Sequence, residues 1–131
     1  FFSTFGGNPV SCAIGMAVMD VIEEEDLMNR ARVLGERFKT GLNSLMKDHE
    51  IIGDVRGRGL FLGIEMVKDR STLEPASMRA SEIVSAMRDQ GVLLSTDGPL
   101  HNVIKIKPPM VLNHDDVDRT LSKLENCLST M

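Results

Sequence analysis

Apolar residues in the first part of the chain recur at helical spacing. Residues 9–22 are apolar around nearly the whole circumference of a helix rather than along one stripe. Such a helix must be covered on several sides, and a chain this short offers little material to cover it. We therefore expect another domain or a partner subunit to pack against this helix.

A second helix is predicted after an acidic break at residues 23–26. Its apolar residues recur every three or four positions, which places them on one face of the helix. This stripe comprises Leu27, Ala31, Leu34, Phe38, Leu42 and Leu45. The pattern indicates an amphipathic helix with one buried face, which ends near residues 47–49.

The spacing changes to a period of two after the glycine-punctuated stretch 51–59. Alternation of this kind is typical of a strand, because successive side chains point to opposite faces of a sheet. The residues on one face are Leu60, Leu62, Ile64 and Met66. We therefore predict a buried strand at this point.

The second half of the chain alternates helices with short strands. A helix is predicted from Pro75 to a stop at Gly91, because proline suits a first helical position and glycine a helix end. Short strands are predicted at 92–95 and 103–106 with a turn between them, and a last helix follows the capping residue Asn113. The order of elements predicts an α+β fold in which helices pack on a small sheet.

Composition narrows the classes of function. The 131 residues carry a net charge of -4 and no concentrated basic run, so we expect no nucleic-acid partner. No apolar run reaches the about 18 residues that a membrane span needs, so we expect no membrane contact. Cys12 and Cys127 lie far apart in predicted helices, which favours buried, reduced thiols. The histidines are scattered, and we expect no metal site.

Thr4 precedes a glycine turn and a helix start in the sequence TFGGNP at residues 4–9. Glycines allow a sharp turn, Asn8 suits an N-cap and Pro9 suits the first helical position. This order places the Thr4 hydroxyl just outside a helix N-terminus, where free backbone N–H groups can bind an anion. An ordinary capped turn explains the same residues without a ligand, so the pattern alone leaves both interpretations open.

Four motifs together resemble the class-III pyridoxal-phosphate-dependent aminotransferase family. They are TFGGNP at 4–9, GDVRGRGL at 53–60, GIE at 63–65 and IKPP at 106–109, in the order and spacing typical of that family. The resemblance implies the C-terminal small domain of a fold-type I transferase. Residues 1–24 would be the end of the large cofactor-binding domain and residues 25–131 the small α+β domain. The missing initiator methionine also favours a piece of a longer protein.

The resemblance also implies a cofactor and an assembly. In this family the threonine of TFGGNP binds the phosphate of pyridoxal 5'-phosphate in the neighbouring subunit, which implies that Thr4 contacts the cofactor across a homodimer interface. The lysine that carries the cofactor lies upstream of TFGGNP, and so does the acidic residue that pairs with the pyridine nitrogen. The resemblance therefore implies no catalytic residue in this chain, and we expect the isolated chain to be inactive.

Lys105 stands where many class-III aminotransferases have an arginine that binds a substrate carboxylate. Lysine is not equivalent, because only the guanidinium group offers a planar, bidentate fork. Residues 92–99 and 105–110 are similar to the phospho-lyase branch of the family, which acts on ethanolamine phosphate and 5-phosphohydroxylysine. The resemblance implies elimination of phosphate from a phosphorylated amine, with Lys105 or Lys107 as candidate contacts for the substrate phosphate. Solvated lysines at a strand edge would give the same sequence.

Two other functions stay open. A class-III aminotransferase, such as an alanine-glyoxylate transaminase, would share these motifs and also take a small-molecule amine. A stand-alone ligand-sensing or interaction module could be made from the small α+β domain. The resemblance implies a mitochondrial or cytoplasmic location and favours mitochondria.

Overall fold

A computed structural model gives the structure of residues 3–130, which form four helices and five strands. In chain order these are α1 (Pro9–Glu24), α2 (Leu27–Asp48), β1 (Ile52–Arg58), β2 (Phe61–Asp69), β3 (Glu74–Pro75), α3 (Ser77–Asp89), β4 (Ser95–Asp97), β5 (Val103–Ile106) and α4 (His114–Thr130). These elements confirm the predicted α+β fold class.

The strands form an antiparallel sheet in the order β1-β2-β5-β4, and β3 pairs with the end of β2. β2 lies between β1 and β5, so that Ile64 stands opposite Val55 on one side and Ile104 on the other. These three side chains are buried. Because successive residues of a strand face opposite sides of the sheet, the neighbouring Gly63 belongs to the other face.

Helices α2 and α3 cover one face of the sheet, α4 packs against both of these helices, and together these elements form a single hydrophobic core. The most deeply buried side chains come from every layer: Phe38 and Leu42 of α2, Ile83 and Met87 of α3, Leu124 of α4, and Ile64, Met66 and Ile104 of the sheet. Each large apolar side chain that is fully buried contributes about 1.5–3 kcal/mol to stability. The predicted stripe of α2 is confirmed, since all its members are buried except Ala31, which is partly buried.

Helix α1 lies outside this core. None of its residues is buried, and within residues 3–130 it packs only against α2. Val10, Ile14 and Met16 expose 69%, 61% and 63% of their surface. The described chain therefore leaves this apolar helix uncovered, as its sequence predicts. The prediction that Cys12 is buried is wrong, because Cys12 lies on this exposed helix, whereas Cys127 is buried as expected.

Two of the helices begin at the predicted capping residues. The Asn8 Oδ1 atom accepts a hydrogen bond from the N–H of Ser11 at 2.9 Å, and Pro9 occupies the first helical position of α1. At α4, Asn113 Oδ1 accepts from the N–H of Asp116 at 2.9 Å, which confirms the predicted capping box. Side-chain caps of this kind contribute about 1 kcal/mol each.

Two predicted boundaries are wrong because strand pairing overrides the local helix and turn signals. Pro75 does not begin a helix; it lies in β3 opposite Val67, and α3 begins at Ser77. The strand predicted at 92–95 is displaced towards the C-terminus, because Ser95–Asp97 are the residues that pair with β5. Part of the predicted turn is therefore strand.

The close approach of α2 to the turn between β1 and β2 makes one glycine essential for packing. A Cβ on Gly35 would lie 2.2 Å from the carbonyl oxygen of Gly59, which is backbone and cannot rotate away. We expect Gly35→Ala to lower the free energy of unfolding by about 1–3 kcal/mol through overpacking. This cost outweighs the about 1 kcal/mol that alanine gains over glycine in helix propensity.

Gly15→Ala in α1 is the matched control, because nothing in the described chain lies within 4 Å of its Cβ. Alanine there should leave the urea midpoint of the 131-residue chain unchanged or raise it. Urea unfolding of both variants measures the difference. Equal midpoints for the two variants would contradict the packing of α2 against this turn.

Candidate functional site

The segment before α1 is held in one conformation by its own side chains. The N–H of Gly6 donates to Ser3 Oγ at 3.1 Å, and Asn8 Nδ2 donates to the Phe5 carbonyl oxygen at 2.7 Å. Gly7 has a φ of 74°, which glycine adopts without strain. We call residues 3–8 the N-terminal turn.

Thr4 is exposed in the N-terminal turn, just before the first residue of α1. Its hydroxyl has no hydrogen-bond partner among residues 3–130. The first turn of α1 contains no acidic residue, so no side chain there repels an anion from the positive end of the helix dipole. The hydroxyl and the helix N-terminus together have the chemistry to bind a phosphate group.

Apart from the N-terminal turn, a concave region lies on the face of the sheet that the helices leave open. It has a volume of about 420 Å³, and Arg56, Phe61, Gly63, Asp97 and Lys105 are among its lining residues. We call it the sheet pit. In the register of the sheet, Gly63 on β2 stands between Arg56 on β1 and Lys105 on β5. The glycine contributes no side chain, and the side-chain atom next to its position is Cγ1 of Val103, 3.1 Å from where a Cβ would lie.

Lys105 is paired across the sheet with a carboxylate. Its Nζ atom donates to Asp97 Oδ2 at 2.7 Å, and the N–H of Gly98 donates to Asp97 Oδ1 at 2.8 Å. Gly98 has a φ of 80°, a left-handed conformation that glycine tolerates. The hydrogen bond from Lys105, followed by that from Gly98, lowers the pKa of Asp97. Lys105 is therefore a held cation and not a freely moving one.

Arg56, on the opposite side of the sheet pit, is paired with two carboxylates. Its Nη1 atom lies 2.8 Å from Asp54 Oδ2 and also donates to Glu65 Oε2. Hydrogen bonds to Asp54 and then to Glu65 raise the pKa of the guanidinium group. Since two acids compensate one base, this side of the sheet pit carries no excess positive charge.

The structure separates the three residues that the sequence singles out. Lys107 follows the end of β5, is exposed and lines other cavities, one of which includes Met28 and Arg58. Thr4 belongs to the N-terminal turn, and no residue of that turn or of α1 lines the sheet pit. Of the two candidate lysines, only Lys105 faces the sheet pit.

Asp97 is the site residue that sequence reasoning missed. Its sequence, TDGP at 96–99, reads as a turn, and a turn explains the aspartate and the glycine without a partner. The pairing of β4 with β5 brings Asp97 next to Val103 and diagonal to Lys105. The sequence signal for this pair is the opposite charge of Asp97 and Lys105. It can be recognised only when β4 is known to include Asp97, because the two residues then lie on neighbouring strands.

Residues 3–130 contain neither a metal-binding cluster nor a membrane-spanning helix. No group of three or more His, Cys, Asp or Glu side chains in this range could hold a metal ion. None of the described helices combines the length and the apolar character that crossing a bilayer requires.

Comparison with known protein families identifies the family of the chain. Residues 2–128 match the aminotransferase class-III family. The chain belongs to this family. Class-III aminotransferases use pyridoxal phosphate as their cofactor, which is the cofactor expected from the sequence motifs. The exposed Thr4 hydroxyl at a helix N-terminus fits the phosphate of this group.

Several class-III relatives match over essentially the whole chain. Ethanolamine-phosphate phospho-lyase homolog 1 of Caenorhabditis elegans is 44% identical over 132 residues, 100% of this chain and 28% of that protein. A solved phospholyase from Arthrobacter, in complex with phosphoethanolamine, is 40% identical with a TM-score of 0.94, over 100% of this chain and 31% of that chain.

An amine transaminase from an uncultivated Pseudomonas species has a similar fold. It was solved with pyridoxal phosphate bound, is 32% identical and has a TM-score of 0.87, over 99% of this chain and 29% of that chain. The present chain thus spans less than a third of the length of these relatives. The similarity confirms the predicted fold type of a pyridoxal-phosphate-dependent transferase.

The ion pair between Asp97 and Lys105 should make the stability of the fold depend on pH. Because the pKa of Asp97 is lowered, the pair stabilises the fold above the pKa of an unfolded aspartate, about 3.9. This stabilisation is lost as the pH falls through the lower folded-state pKa. Lys105→Gln should raise the pKa of Asp97, but only part of the way, because the Gly98 hydrogen bond remains.

Carbon-13 NMR titration of the Asp97 carboxyl group in the 131-residue chain measures this change. Asp118 is the internal control, because its pKa is lowered mainly by a hydrogen bond from Arg37 and should not respond to Lys105→Gln. The same Asp97 titration midpoint with and without Lys105 would show that the pair does not persist in solution.

Proposed function

We propose that the full-length protein is a pyridoxal-phosphate-dependent phospho-lyase that eliminates phosphate from a phosphorylated amine, either phosphoethanolamine or 5-phosphohydroxylysine. The observation that carries the proposal is the ammonium group of Lys105 on the wall of the sheet pit. A lysine acts as a point charge, so it can hold an anionic group of the substrate without the planar, bidentate geometry that an arginine imposes. Similarity to a phospholyase solved with phosphoethanolamine supports the same substrate class.

The domain assignment forms part of this proposal. Residues 1–24 belong to the end of the large cofactor-binding domain, and residues 25–131 form the C-terminal small domain. The exposure of α1 supports the division, because its apolar surface has no cover within residues 3–130. The large domain and the second subunit of a homodimer would supply that cover.

Each candidate residue then has a distinct task. The Thr4 hydroxyl, beside the N-terminus of α1, donates a hydrogen bond to the cofactor phosphate in the neighbouring subunit. Lys105 contacts an anionic group of the substrate in the sheet pit. When bound, pyridoxal phosphate supplies an electron sink for negative charge that develops on the substrate carbon. The groups that transfer protons lie in the part of the enzyme outside this chain, so the isolated chain is inactive.

A class-III aminotransferase is the second candidate function. The amine transaminase that shares this fold supports it, since the two activities occur on the same scaffold. A stand-alone ligand-sensing module, by contrast, is not favoured by any observation on residues 3–130. The cellular compartment, mitochondrial or cytoplasmic, stays a prediction.

Phosphate release distinguishes the two enzymatic candidates. The full-length protein should release phosphate and ammonia in equal amounts from phosphoethanolamine or from 5-phosphohydroxylysine, measured by colorimetric phosphate and enzyme-coupled ammonia assays. Lys105→Met should lower kcat/KM by about tenfold or more, since a hydrogen bond to a charged group contributes about 1.5–3 kcal/mol. Lys107→Met is the matched comparison and should have a smaller effect, because Lys107 lines other cavities. Amino-group transfer without phosphate release from either compound would favour the aminotransferase.

The role of Thr4 is tested by cofactor affinity. Thr4→Ala in the full-length protein should weaken binding of pyridoxal phosphate by about 1–3 kcal/mol, because a hydroxyl that serves a charged phosphate is lost. Thr40→Ala is the control, since Thr40 is exposed in α2. Titration of the apoenzyme with cofactor, followed by absorbance, gives the dissociation constants. An affinity unchanged by Thr4→Ala would reject the assignment.

A further inference from the structure

The sheet pit holds a paired cation and anion, and each retains unused hydrogen-bonding capacity. Among residues 3–130, Lys105 uses one of the three donors of its ammonium group, on Asp97. Asp97 accepts hydrogen bonds from Lys105 and from Gly98, which leaves about two of its roughly four acceptor positions open. The side chains of Lys105 and Asp97 are 33% and 55% exposed, so a ligand can reach both.

The two opposite charges of Lys105 and Asp97 determine which ligand the sheet pit can bind. A purely anionic group that contacts Lys105 comes close to the carboxylate of Asp97, and two like charges at this distance repel each other. A group that carries an ammonium and an anion together avoids the repulsion. Its ammonium can donate to Asp97 while its anion accepts from Lys105, and the ion pair does not have to break.

The opposite wall of the sheet pit, formed by Arg56, does not alter this preference for a zwitterionic group. Arg56 is already compensated by Asp54 and Glu65, so it offers no uncompensated positive charge to a second anion. Gly63 adds no side chain to the sheet pit, the neighbouring side chain is the apolar Val103, and the volume of about 420 Å³ is ample for the amino-acid end of a substrate. The sheet pit therefore matches a zwitterionic group better than a phosphate alone.

We propose that Asp97 is a specificity-determining residue of the substrate site, which receives the ammonium of a zwitterionic substrate tail while Lys105 receives its carboxylate. This inference rests on the proposed function, because it takes the sheet pit to face the substrate. It narrows the substrate class to amines whose far end is an amino acid. Of the two phosphorylated amines, 5-phosphohydroxylysine has such an end and phosphoethanolamine does not.

Binding of two simple amines to the full-length holoenzyme tests the inference. L-lysine and 6-aminohexanoate share the reacting amine and the distal carboxylate, and they differ only in the α-ammonium group. Isothermal titration calorimetry should give a dissociation constant about tenfold or more lower for L-lysine, the effect of one added charged hydrogen bond. Asp97→Asn should remove this preference by weakening L-lysine binding, with 6-aminohexanoate bound as well as before or more tightly.

Asp89→Asn is the control variant, because Asp89 pairs with Arg88 at the end of α3 and does not line the sheet pit. It should keep the preference for L-lysine. Asparagine at position 97 can still accept from the N–H of Gly98, and an unchanged melting temperature would confirm that the turn is intact.

Four results would overturn the inference, two in the wild-type protein and two in Asp97→Asn. They are undetectable binding of L-lysine or no preference for it in the wild-type protein, an intact preference in Asp97→Asn, and an equal loss of both ligands in that variant. The calorimetry does not depend on phosphate release. A protein that prefers L-lysine but releases no phosphate keeps the inference and loses the lyase function. One that releases phosphate without this preference does the reverse.

Discussion

The antiparallel register of β2 between β1 and β5 is the constraint on which both faces of the domain depend. It directs Leu62, Ile64 and Met66 into the core beneath the helices. The same register places Gly63 between Arg56 and Lys105 on the open face. A slip of one residue would expose the core residues and bury the charged ones. The stability of the core therefore also fixes the geometry of the sheet pit.

The sequence predicts those parts of the fold whose pattern is long enough to be unambiguous. α2 has a stripe repeated over several turns, and β2 alternates over most of its length, so local spacing suffices. Pro75 and residues 92–95 were predicted wrongly, because short segments take their conformation from the strand beside them. Cys12 was predicted wrongly for a related reason: apolar spacing indicates a surface that needs cover but does not say that this chain provides it.

Some residues of the candidate site could be predicted from the sequence and others could not. Thr4 and Lys105 follow from motifs whose residues are adjacent in sequence. Asp97 does not, since its partner lies eight residues away and they meet only when β4 pairs with β5. Thr4 and Lys105 also lie in different regions of the described chain. The proposed function accounts for this separation, because it makes the chain one part of a larger active site, with Lys105 on β5 and Thr4 in the N-terminal turn before α1.

The central claim is that the open face of the sheet looks onto the substrate. A crystal structure of the full-length protein with pyridoxal phosphate and a bound amine substrate tests it most directly, through the distance from Lys105 Nζ to the nearest anionic atom of the substrate. The account predicts a hydrogen-bond distance, about 2.7–2.9 Å for a charged pair. A sheet pit filled by other side chains of the protein, or one that opens to solvent away from the substrate, would contradict it.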